Sequence, residues 1–193
     1  MELVVACGIG MVILGAIAGT FMTQTKFYNA QEQINEMQQN ARAAMDLMSR
    51  EIKLAGYKPR GTEAFVGVTY STAELRIRAN LNGHLSDAQG GNATINDSSD
   101  EHVVYTFDSA NKQIKRAYGA VASTAEVLAN NVTAFTFDYL DSSGTPTNVS
   151  ANIRQVSLNI TARTSKPDPD FATNNGYRTY NISTVITPTN LAY

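Results

Sequence analysis

Cysteine occurs once, at Cys7, which excludes an intrachain disulfide and leaves a small apolar thiol as the default reading. Histidine occurs twice, at His84 and His102, and no CxxC, CxxCH, HExxH, GxSxG or phosphate-binding glycine loop is present. Those absences weigh against an enzyme, and no cofactor is expected. Charge of one sign is lacking too: 15 Lys and Arg face 17 Asp and Glu, a net charge of -2, so bulk nucleic-acid binding is not expected. Neither an internal repeat nor a run of like charge is evident. No proline precedes Pro59, and no charged side chain lies between Leu3 and Met22.

That last absence defines the first element. A helix of ~20 uncharged, mostly apolar residues is about 30 Å long, the depth of a bilayer's hydrocarbon core. Residues 1–26 therefore belong in lipid or in a core built from many copies of the same segment. Glu2 heads the run, and an ionised carboxylate there is solvated among lipid headgroups or paired with a cation from a neighbouring subunit. Gly8, Gly10, Gly15 and Gly19 interrupt it; Gly15 and Gly19 form a small-xxx-small pair that permits close helix approach, and each lowers helix propensity by roughly 1 kcal/mol relative to Ala. Close packing, local melting and an ordinary single-pass anchor all remain open. The run is too long for the usual signal-peptide core and lacks a positive region before it. Since Lys26 is the first positive side chain, export of the remainder places the orienting charges upstream of Met1, so a leader or the first mature residues are expected before this sequence.

Residues 27–57 turn polar while keeping an apolar stripe at steps of three and four: Phe27, Ala30, Ile34, Met37, Ala41, Ala44, Met48, Ile52 and Ala55. Ile34, Met37, Ala41, Ala44, Met48 and Ile52 are expected to pack on a sheet, with Glu51 and the other charges on the remaining faces. Gly56 reads as a C-cap and Pro59 forbids continuation. From 58 to 193 the period becomes two, with candidate strands at 64–70, 74–79, 102–107, 112–118, 132–140, 153–163 and 177–187. Together these predict an α+β chain: one long N-terminal helix covering an antiparallel β-sheet head, with polar surface loops at 80–101, 141–151 and 166–176. Asp108 to Asn111 reads as a hairpin turn.

The order of these parts resembles the type IV pilins and pseudopilins. MELVVA is similar to the mature pilin opening FTLIELMVA, which aligns Glu2 with the glutamate of that family and starts this sequence three residues late. QQNARAAMDLMSREIKLAGY and the closing YRTYNISTVITPTNL look like the helix end and tail of PilW-like minor pilins. The resemblance implies a subunit held in the inner membrane, extracted by assembly machinery, and stacked with copies of itself and other pilins into an extracellular filament. Glu2 then neutralises a neighbour's terminal amine, while the four glycines allow the helix to pack and stretch. A type II secretion pseudopilin and a membrane-anchored binding protein are the alternatives.

Two weaker sites complete the reading. Asp87, Asp97, Asp100 and Glu101 form an oxygen-rich loop that suits calcium in chemistry but fits no EF-hand spacing, so a solvated loop is preferred and no metal is expected. Arg76, Arg78, Lys112, Lys115 and Arg116 make a candidate basic patch, against the commoner reading of charged strand faces in water.

Overall fold

The structure is a computed structural model that describes residues 1–58, 65–81, 101–119 and 125–191. Helix α1 spans Glu2–Leu54, followed by β1 (Val68–Thr69), β2 (Glu74–Arg78), β3 (His102–Asp108), β4 (Gln113–Tyr118), β5 (Glu126–Ala129), β6 (Val132–Leu140), β7 (Gln155–Arg163) and β8 (Thr179–Ile186). The chain forms two compact units. One comprises Met1–Glu36 with Thr164–Arg178, the other Met37–Arg163 with Thr179–Tyr193.

In the larger unit the second part of α1 packs on antiparallel sheets. Met37, Ala41, Ala44, Met45, Met48 and Ile52 are buried, a spacing that keeps one side of the helix against the core. Two sheets form where one was expected: β1-β2-β3-β4-β5 and β6-β7-β8, each antiparallel between neighbours. Strand alternation explains the core, because residues directly opposite each other share a face. Leu75 faces Tyr105 and Ile77 faces Val103 in the first sheet; Phe135 faces Ile160, Phe137 faces Leu158 and Tyr139 faces Val156 in the second. All of these side chains but Phe137, which is partly buried and packs against it, join Ala44, Met45, Met48, Ile52 and Ala55 in one hydrophobic cluster. The hairpin at Asp108 closes as its turn residues predict. Asp108 pairs with Gln113, its carboxylate accepts from the Asn111 backbone and side-chain amides, and Lys112 takes the left-handed conformation at φ 55°.

The helix stops through local geometry. Gly56 lies at φ 76°, the left-handed position beyond a helix end that glycine alone occupies without strain, and its N–H donates to the Arg78 carbonyl at 2.8 Å. Gly67 passes so close to this turn that a Cβ there would meet the Gly56 nitrogen at 2.3 Å. Thr189 donates to the Lys53 carbonyl through both its backbone N–H and its hydroxyl, at 3.2 Å each, so the end of the chain covers an orphan carbonyl of the last helical turn.

In the smaller unit, the Lys166 N–H donates to the Gln33 side chain at 3.0 Å and Lys26 reaches Asp170 at 3.7 Å. Arg178 pairs with Asp168 at 2.9 Å and lies 4.6 Å from the Phe171 ring centre. The expected surface loop at 166–176 is thus tied by polar contacts, and it ends in a tight turn, Thr173–Gly176, in which Asn174 and Asn175 take the left-handed conformation at φ 51° and 54°.

Candidate functional site: the apolar half of the long helix

Within α1 the apolar stretch stands bare. Its most hydrophobic 18-residue window has a mean hydropathy of 2.3 and no buried residue, so the helix is long and apolar enough to cross a membrane. Leu3, Val4, Met11, Val12, Phe21 and Met22 all rank among the exposed large side chains. A helix is greasy all round only when its surroundings are apolar too. The hydroxyl groups in and just beyond it are satisfied internally, with Thr20, Thr23 and Thr25 donating to the carbonyls of Ala16, Gly19 and Phe21 at 2.9 to 3.0 Å. This back-bonding is what a hydroxyl requires where water is absent.

Glu2 is the acidic residue of the first turn. Gly8, Gly10, Gly15 and Gly19 lie within the same helix, and a Cβ added at any of them would meet nothing within 4 Å. No packing among the described residues therefore requires glycine at those positions. Cys7 is likewise exposed and free.

The other candidate residues divide by what the fold does with them, starting with the second half of the helix. Met37, Ala41, Ala44, Met48 and Ile52 lie in the core, while Ile34 is half-buried and belongs to the smaller unit. Of the calcium candidates, Asp87, Asp97 and Asp100 lie outside the described residues. Glu101 is buried, and its carboxylate accepts from the Leu81 N–H at 3.0 Å. Among the described residues no group of three or more His, Cys, Asp or Glu is placed to hold a metal.

The basic patch does not form as a patch. Neighbouring strand residues point to opposite faces, so Lys115 and Arg116 separate. Lys115 pairs with Asp108 at 2.7 Å and Arg76 with Glu74. Arg116 turns inward and forks onto Glu51, at 2.6 Å through Nη2 and 3.0 Å through Nε. Tyr105 donates its hydroxyl to the same carboxylate, and the Tyr118 ring centre lies 4.3 Å from the Arg116 guanidinium carbon. Burial, then the Glu51 charge, push the Tyr105 hydroxyl far above its ordinary value; burial is the largest influence on Arg116 and opposes its charge, but hydrogen bonds to Glu51 and Tyr118 together with the Glu51 charge outweigh it and raise its pKa. This cluster ties helix to sheet, and it places Glu51 inside rather than on the wet face expected from the apolar stripe.

One long N-terminal helix packed on antiparallel sheets, with its first half bare, apolar and headed by an acid, defines the type IV pilin fold. The chain is similar to the solved structure of a type IV-like pilin from Thermus thermophilus, with a TM-score of 0.55 at 13% identity over 82% of this chain and 100% of that one. No family model matches the sequence, and no curated protein matches it.

Proposed function

We propose that this chain is a structural subunit of a type IV pilus or a kindred filament, with no catalytic role. The bare apolar helix carries the reading. At about 25 cal/mol per Å² of apolar area, a fully exposed segment of this kind is strongly disfavoured in water and must be covered by lipid or by other helices. Before assembly the subunit rests in the inner membrane. After extraction by membrane machinery, the same surface is buried against copies of itself and against other pilins in a filament outside the cell.

Glu2 accompanies each helix into that dry bundle, where an unpaired carboxylate is costly, and a neighbour's terminal amine is the cation that neutralises it and sets axial register. Gly8, Gly10, Gly15 and Gly19 let helices approach, a role supported by the open space around each. Within the pilin class, the resemblance of the segment ending in Gly56 and Tyr57 to PilW-like proteins favours a minor subunit.

Glu2→Gln and Glu2→Lys separate this function from that of a membrane-anchored binding protein. Both variants are expected at normal level in the membrane fraction, with filaments recovered by shearing lost or reduced at least tenfold. Filaments at wild-type yield from both variants would remove Glu2 from the mechanism. A secretion pseudopilin is distinguished by loss of a secreted substrate, without surface filaments, when the chain is deleted.

A further inference from the structure

We infer that the free edge of β6 is a docking site for an extended, Lys- or Arg-bearing peptide segment, which adds to β6-β7-β8 as a fourth strand. Among the described residues β6 is an outer strand of its sheet, with β7 as its one neighbouring strand. The direction of its backbone groups follows from two hydrogen bonds. The Leu140 carbonyl accepts from Arg154, on the β7 side, whereas the Tyr139 carbonyl accepts from the Thr147 N–H on the other side at 2.9 Å. Alternate residues of an antiparallel strand present both backbone groups to the same side. Phe137 and Phe135 therefore point their N–H and C=O outward with Tyr139, and among the described residues no partner meets them.

Both ends of this edge are closed. Pro146 bridges to Leu140 at one end; at the other, the Val132 N–H donates to the Lys112 carbonyl and the register shifts between Val132 and Ala134. Between those stops the edge carries neither proline nor lysine, and its one charged side chain is Asp138. It opens on a cleft of about 660 Å³, lined by five consecutive β6 residues from Phe135 to Tyr139, by Tyr70 to Thr72 and, beside the closed end, by Pro146 to Asn148. A strand advances about 3.3 Å per residue, so the open stretch accommodates a segment of roughly five residues.

The lining specifies that segment. On the core side, Tyr70, Tyr139, Phe137 and Phe135 form a chain of ring contacts with centres 5.4 to 5.8 Å apart, so residues opposite Phe135 and Phe137 are apolar. On the outer side, Thr136 and Asp138 occupy the positions whose side chains lie closest to an added strand. Among the described residues Asp138 is the one charged member of the cleft lining, which gives a basic side chain a partner there. Strand addition of this type takes affinity from backbone hydrogen bonds and specificity from alternate side chains. It needs only the larger unit and is independent of Glu2 and of filament formation.

The test uses the full chain in detergent micelles and the acetylated, amidated hexapeptide SKVTVS, whose lysine falls opposite Asp138 and whose valines fall opposite Phe137 and Phe135. At saturation, amide exchange at Phe135 and Phe137 is expected to slow at least tenfold, with Thr136 and Asp138, already turned to β7, unchanged. Asp138→Lys is expected to weaken the peptide at least tenfold, and SEVTVS to recover that loss on the same variant. N-methylation of both valines is expected to abolish binding. No binding at millimolar peptide, equal binding of the methylated peptide, or a second copy of the chain already seated on the edge would each overturn the inference.

Discussion

Glu51 illustrates how much one side chain decides in this molecule. Its carboxylate holds Arg116 and Tyr105 with its side chain only 16% exposed, so removing it strands a half-buried guanidinium and a buried hydroxyl. Glu51→Ala is expected to destabilise the chain by about 3 kcal/mol and Tyr105→Phe by about 1 kcal/mol, read from denaturant unfolding in detergent. The contact spans 65 residues and no local pattern announces it, but a partial signal exists. Glu51 directly precedes Ile52 of the apolar stripe, at the margin of that face, and Arg116 alternates with the buried Ile114, so Arg116 occupies a position that the strand period assigns to the core. A charge in such a place needs a partner, and two of them of opposite sign invite each other.

Acidity acts through other single residues. Hydrogen bonds from Lys115 and then Asn111 hold the Asp108 carboxyl well below its ordinary range, Ser143 and Thr145 lower Asp141, and Arg178 lowers Asp168. A depressed folded-state pKa contributes stability that is fully present above the unfolded value, about 3.9, and is lost as pH falls toward the folded one. Thermal melting is therefore expected to hold steady from about pH 7 to 5 and to fall below about pH 4. In Asp108→Asn the acid-dependent part of that fall is smaller, since one of its carboxylates is gone.

The elements are as legible as their periods are long. Helix α1, strands β6 and β7, and the hairpin at Asp108 all follow from spacing and turn chemistry. β5 does not, because four residues reading EVLA with two exposed positions carry no alternation. The division into two sheets escapes as well, since strand period reports which face is buried and not which strand is the neighbour. At this scale Met48, fully buried in the core, is expected to cost about 2–5 kcal/mol as Met48→Ala. Gly67→Ala is expected to cost about 1–3 kcal/mol despite its small size, because its Cβ meets backbone at Gly56 and backbone cannot rotate aside. Denaturant midpoints of the two variants, set beside Gly15→Ala, where an added Cβ meets nothing within 4 Å, check that ordering.

For the molecule as a whole, the apolar segment is legible at once, since nothing but lipid or like helices covers such a surface. What the exposed strand edge binds is not, because an edge is a property of pairing and leaves no trace in local composition. The four apolar-segment glycines belong to this scale: a Cβ added at Gly15 or Gly19 meets none of the described residues within 4 Å and both lie outside the larger unit, so in Gly15→Leu with Gly19→Leu head stability is expected to change by less than about 0.5 kcal/mol while filament yield collapses. Unchanged yield would assign those glycines to the membrane state alone. The most direct measurement of the proposed role is a helical reconstruction of filaments sheared from cells that express this chain. It is predicted to place residues 1–26 of successive subunits in a bundle on the filament axis, with each Glu2 carboxylate within about 4 Å of a neighbour's terminal amine. A working form found as dispersed single chains, with that helix still in lipid and Glu2 facing water, would contradict it.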